Sequence, residues 1–169
     1  RRHRGCICRL AGRRGEPATG TDGSFSQIWK ELSLNDSGQI LFSAEVSGSA
    51  VRGLFRWAPA GIDRIAVQGE AVPDIGGTVD FGFRPTSVIG GLSNAGDVYL
   101  NVHLVGAANG AGESGAVLRY SKGALSTIAA SGRSYPGIGT IDAIKQGPWV
   151  ALDGTVTFRD RAGGIERII

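Results

Sequence analysis

The sequence states one phrase three times. Residues 34 to 44 read Leu-Asn-Asp-Ser-Gly-Gln-Ile-Leu-Phe-Ser-Ala, a close variant begins at Leu92, and a third begins near Val150. Asp36, Asn94 and Leu152 fall at intervals of 58 residues, as do Gly38, Gly96 and Gly154. A fixed period means that one supersecondary unit is copied, and each copy must bury its apolar face against a neighbour.

Within the first copy, Gln39 to Val46 alternates in part between polar and apolar and is rich in strand formers, so it predicts a strand. Ser47-Gly48-Ser49 turns the chain into Gly53 to Trp57, and Ala58-Pro59-Ala60-Gly61 turns it back into Ile62 to Val67. A fourth strand is expected near Val79 to Phe83. The 28 glycines have no Gly-X-Y period, which reads as many turns between short strands. The expected class is all-β, built from repeated four-stranded antiparallel meanders as a fragment of a β-propeller, with a short β-solenoid or an open array of sheets as the alternative.

A second phrase punctuates the copies. Gly15-Glu16-Pro17-Ala-Thr-Gly20-Thr21 returns as Gly69-Glu70-Ala-Val-Pro73-Asp-Ile-Gly76-Gly-Thr78 and as Gly132-Arg-Ser-Tyr-Pro136-Gly-Ile-Gly139-Thr140. Proline presets φ and glycine permits positive φ, so Pro73 and Pro136 are read as turn residues, together with Asn35, Gly38, Gly96 and Gly154. Arg56 and Trp57 match Arg119 and Tyr120 at an offset of 63 because the loop at 105–114 is longer. The chain divides into a basic segment at 1–14, for which disorder is one reading, the end of a preceding repeat at 15–33, and repeats at 34–91 and 92–148. The start of a third repeat occupies 149–169. That last piece admits two registers, since Phe158 to Ile168 also matches Phe55 to Ile65.

The net charge of +3 is concentrated at one end. Residues 1–14 hold six arginines and no acid, which leaves 12 basic against 15 acidic residues from Gly15 onward, or −3. No aromatic residue interleaves with those arginines to stack on bases, so nucleic acid is not the expected partner. His3, Cys6 and Cys8 lack the fourth ligand and paired spacing of a zinc site, and no cofactor is expected. The chain holds no methionine, which predicts a piece of a longer protein, and no apolar run is long enough to span a membrane.

Asn35-x-x-Gly38-x-x-Leu41-Phe42-x-Ala44, Gly53-Leu-Phe-Arg-Trp57, Ile65-Ala66 and the Gly-Glu-x-x-Pro phrase together resemble the bacterial choice-of-anchor proteins with tandem Asn-x-x-Gly-x-x-Ala-Phe repeats. The resemblance covers roughly residues 15 to 158. It departs at Leu41, where the pattern has Ala, at Ser93, Tyr99 and Leu100 in the second copy, and at Leu152 and Asp153 in the third. It implies an exported, extracellular or surface-attached bacterial protein with a propeller-like fold, and it brings no catalytic residue.

No catalytic residue is assigned from the sequence either. Asp36, Asn94 and Asp153 are candidate calcium ligands, but calcium takes six to eight oxygens and the acidic density of an EF-hand is missing. Capping of their own turns explains the same residues. His103 stands where the first copy has Glu45, and Arg56 and Arg119 recur beside aromatic residues. These three are the candidate ligand contacts, with a solvated histidine and structural ion pairs as the alternatives. The expected function is a non-catalytic binding or scaffold module of a secreted or surface-anchored bacterial repeat protein, its ligand a protein or glycan. The alternative is a fragment of a propeller-type carbohydrate-active enzyme, suggested by the Asp-bearing hairpins.

Overall fold

The computed structural model describes residues 14–48, 51–72, 74–81, 90–106 and 115–169. His3, Cys6, Cys8, Pro73 and all of the basic segment except Arg14 lie outside the described residues. Among those described there is no helix, and none therefore that is long and apolar enough to cross a membrane.

Strands β1 (Phe25–Leu34), β2 (Ile40–Val46), β3 (Val51–Ala58) and β4 (Gly61–Val67) make an antiparallel sheet in which spatial order follows chain order. The second sheet contains β5 (Thr78–Asp80), β6 (Gly90–Leu92), β7 (Val98–Val105), β8 (Gly115–Ser121) and β9 (Ala124–Ala130). There β5 and β6 pair with opposite ends of β7 and so share the place that β1 holds alone in the first sheet. After a short hairpin of β10 (Ser134–Tyr135) and β11 (Gly139–Thr140), the third sheet runs β12 (Ala143–Val150), β13 (Val156–Ala162) and β14 (Ile165–Ile168). None of these sheets closes on itself.

The sequence period is a register in space. Leu34 pairs with Ile40, Leu92 with Val98 and Val150 with Val156, so the first turn of each sheet is the same turn moved by 58 residues. The sheets are nevertheless displaced from the sequence repeats by one strand. Thr78–Asp80, expected to complete the first repeat's own meander, pairs instead with β7 of the second sheet.

The Gly-Glu-x-x-Pro phrase is the cause. Gly69 N–H donates to the Val79 carbonyl and Val79 N–H to the Glu70 carbonyl, both at 2.8 Å, which closes a loop at its neck and points the chain away from β4. The same pair of bonds recurs between Gly15, Glu16 and Phe25 and between Gly132, Arg133 and Ile141. Phe25, Val79 and Ile141 then enter the core, each at most 1% exposed.

The sheets stack face to face in chain order. Leu41, Leu54, Ile65 and Ala66 of the first meet Val98, Leu100, Val102 and Leu104 of the second. The opposite face of the second sheet lays Val117 and Ala129 against Phe158 and Ile141. On the remaining face of the first sheet, Phe25, Phe42 and Phe55 form an aromatic triad with ring centroids 5.0–5.8 Å apart. Both faces of β2 are thus covered, which is why Ile40 to Ala44 is buried without a break instead of alternating. Burying each of the valine, leucine, isoleucine and phenylalanine side chains stabilises by about 1.5–3 kcal/mol, with geometry-dependent gains for the aromatic pairs.

Both registers of the last piece are in use. The β12–β13 turn keeps the 58-residue period, while β13 and β14 meet through Gly163 and Gly164 at φ 56° and 79°. That is the two-residue positive-φ turn that Lys122 and Gly123 make between β8 and β9, at φ 51° and 86°. Arg159 pairs with Glu166 at 3.4 Å as Arg56 pairs with Asp63 at 2.6 Å.

Candidate functional site

The recurring polar residues meet at the first turns of the three sheets. Asn35, buried at 4% exposure, donates through Nδ2 to Gln39 Oε1 at 2.7 Å and to the Ser93 carbonyl of the next repeat at 2.8 Å. Asp36 N–H donates to Asn94 Oδ1 at 3.0 Å, and Asn94 Nδ2 returns a bond to the Asp36 carboxylate at 2.8 Å. Asn94 N–H then donates to the Leu152 carbonyl at 2.8 Å. Residues 58 apart in sequence are therefore in direct contact, and the turns are stitched to one another in series.

Gly38, Gly96 and Gly154 sit in these turns with φ of 74°, 85° and 93°. Gly96 carries a second constraint, since a Cβ there would lie 3.0 Å from Gln39 Oε1 and 3.2 Å from Arg56 Nη1. Pro136 lies exposed in the turn between β10 and β11.

The arginines hold this end of the stack. Arg56 binds Asp63, donates to the Gly96 carbonyl across the sheet boundary, and lies 5.9 Å from the Tyr120 ring centroid. Arg119 binds Asp97 at 2.5 Å and lies 5.9 Å from the Tyr99 ring centroid. Burial alone raises the Asp97 carboxyl, but hydrogen bonds from Ser121 and Arg119 and the charges of Arg119 and Arg56 outweigh it, so Asp97 titrates below the ordinary 3.8. The Asp97 hydrogen bond and charge in turn raise the Arg119 guanidinium. Asp97 carried no signal in the sequence beyond standing beside the repeat motif, whereas Tyr99 showed as a departure from the pattern and Tyr120 as the counterpart of Trp57.

Of the three candidate metal ligands, Asp36 and Asn94 are brought together and bond to each other. Asp153 instead accepts from Thr155 N–H at 2.8 Å within its own turn, which holds its carboxyl below the usual value. No group of three His, Cys, Asp or Glu side chains among the described residues is arranged to hold a metal ion.

His103 lies elsewhere, four residues along the sheet from the Tyr99–Arg119 pair. It is exposed on β7, opposite Asp80 on one side and Gly115 on the other. Asn101, two residues away, shares its face, and β12 contributes Lys145 and Gln146 to the same groove, which encloses about 170 Å³. A second cavity of about 390 Å³ opens between β4 and the β8–β9 turn, where Arg64 is already bound to the Gly20 carbonyl and to Glu70.

Fold and site define an all-β repeat protein whose antiparallel sheets are stacked in chain order and joined through their turns. Residues 49–166, well over half of the chain, match DUF7453, a family of unknown function, and the chain belongs to that family. Comparison with curated proteins and with solved structures gives no match.

Proposed function

We propose that the chain is a non-catalytic binding or scaffold module of a secreted or surface-anchored bacterial repeat protein, and that its sheets are successive blades of a β-propeller. One observation carries the reading: the polar residues that recur are spent on each other. Asn35, Asp36, Asn94 and Arg56 join one repeat to the next, as a structural framework requires and as a reaction centre repeated in each copy would not. Chain-order strands, a constant register of 58 residues and the one-strand displacement between sheet and sequence repeat support the propeller geometry. Export and surface attachment rest on the resemblance to the choice-of-anchor proteins.

The test has two parts. The DNA flanking this segment in its source is expected to encode further copies of the unit, a signal peptide upstream and a sorting tail downstream. The protein is expected to turn over none of a panel of oligosaccharides. Hydrolysis that disappears in His103→Ala would overturn the non-catalytic reading in favour of a carbohydrate-active propeller, and flanking sequence without further copies would overturn the ring.

A further inference from the structure

The two boundaries between sheets differ in chemistry. Between the first and second sheets the contact is aliphatic, Leu41 and Leu54 against Val98, Leu100, Val102 and Leu104. On the face of the second sheet turned to the third, polar positions that the first sheet also carries line a groove shared with β12. Asn101 occupies the place of Ser43 and His103 the place of Glu45, by the 58-residue register. Across from them stands β12, close enough that a Cβ on Gly115 would lie 3.3 Å from Ile144 Cβ. Phe158 faces the second sheet, and fully buried Asp160, two residues on, shares that face.

We infer that this groove is a binding site for an acidic sugar, a hydroxyl-bearing ring with a carboxylate. The inference rests on the reading of the chain as a binding module and names the ligand class for it. Three observations carry it.

First, the polar groups converge without being consumed by the fold. The side chains of Asn101, His103, Lys145 and Gln146 have no hydrogen-bond or ion-pair partner among the described residues, in contrast to the stitched turns at the other end of the sheets. Convergent polar groups in a concave site are what fix a small ligand's orientation.

Second, Lys145 is placed by a bulge. Ile144 pairs with Asp160 and Gln146 with Arg159, so Lys145 is the extra residue on β12. Bulges redirect side chains and are enriched beside functional sites. Gly115, directly opposite His103, has no side chain to fill the slot.

Third, the inventory fits the ligand. Asn101, Gln146 and His103 each offer both donor and acceptor capacity for hydroxyls. Asp80 is oriented by Gln68 Nε2 at 2.8 Å and adds an acceptor. Lys145 supplies the cation for a carboxylate. The volume, about 170 Å³, is below the roughly 300–1,000 Å³ of drug-sized sites and suits one ring rather than a chain of them.

Titration of the protein with glucuronate, followed by amide chemical shifts and calorimetry, tests the inference, with glucose as the neutral comparison. Glucuronate is expected to bind with shifts centred on residues 101–103 and 144–146, and glucose to bind at least about tenfold more weakly. Lys145→Ala is expected to weaken glucuronate about tenfold to a hundredfold and to leave glucose little changed. Lys122→Asn, which removes one positive charge from an exposed turn, is expected to change neither. Circular dichroism of each variant checks that it is folded. Absence of glucuronate binding, equal binding of the two sugars, or indifference to Lys145→Ala would each overturn the acidic-sugar assignment. Those failures leave the binding-module reading standing, whereas cleavage of a uronate oligosaccharide would overturn that reading instead.

Discussion

At the residue scale, the spacing of 58 is a set of hydrogen bonds. Asn35 is the buried side chain among those that make them: its amide donates to Ser93 of the next repeat and to Gln39 of its own turn, and accepts from Gln39 N–H at 2.9 Å. Asn35→Ala removes three hydrogen bonds, leaving Gln39 N–H without its acceptor and the Ser93 carbonyl with Gly96 N–H alone, and is expected to destabilise the fold by about 2–4 kcal/mol in urea unfolding. Asp36→Ala, at an exposed position, is expected to cost about 1 kcal/mol or less. Comparable losses for the two would mean that the turns are held by something other than Asn35. Asp97 adds a dependence on pH. Its folded pKa is depressed, so its contribution is complete above the ordinary 3.8 and is lost as pH falls through the lower folded value. The stability advantage of wild type over Asp97→Asn is therefore expected to shrink as unfolding is measured at successively lower pH below 3.8, and an advantage that persists unchanged would remove Asp97–Arg119 as its source.

At the element scale, the aromatic triad belongs to three different strand positions: Phe25 begins β1, Phe42 lies in β2 and Phe55 in β3. Phe55 touches both partners and is fully buried, so Phe55→Ala is expected to cost about 3–5 kcal/mol, while Leu in its place recovers much of that. A loss below about 1 kcal/mol in the same urea titration would show that the first sheet is not anchored through this face. Strands β2, β3 and β4 were legible, because β-branched and aromatic runs between glycine-bearing turns specify them locally. Sheet membership was not. Whether Thr78–Asp80 extends the sheet of β4 or begins the next one depends on the neck bonds of the 69–79 loop, which no single residue announces. The candidate site divides the same way: His103 stood out as a departure from Glu45, but Lys145 became visible only through a bulge that pairing with β13 creates.

At the scale of the whole molecule, the hydrophobic clusters among the described residues join each sheet to its neighbour in the stack, so stability is a sum of sheets and interfaces, and the weakest interface opens first. The first boundary joins broad aliphatic faces, whereas the second includes the polar groove and rests on a small cluster around Phe158 and Ile141. Strands β6 and β12 approach closely at one point of that second boundary: a Cβ on Gly91 would lie 2.2 Å from Val150 Cγ2 and 2.5 Å from its Cβ. Gly91→Ala cannot be accommodated by turning a flexible side-chain end, since the branched carbon itself is in the way, and β6 and β12 must move apart. The expected cost is about 1–3 kcal/mol. Its distribution matters more than its size. Amides of β12, β13 and β14 are expected to exchange with solvent faster in the variant, while those of β2 and β3, beyond an undisturbed boundary, keep their protection. Equal loss of protection throughout would mean that the stack opens as one cooperative unit and that coupling between its sheets exceeds what their contacts imply. Selective loss in the third sheet would place the groove beside the boundary that opens most readily, where a bound ligand, by bridging Asn101 and Lys145, would stabilise the sheet pair by mass action.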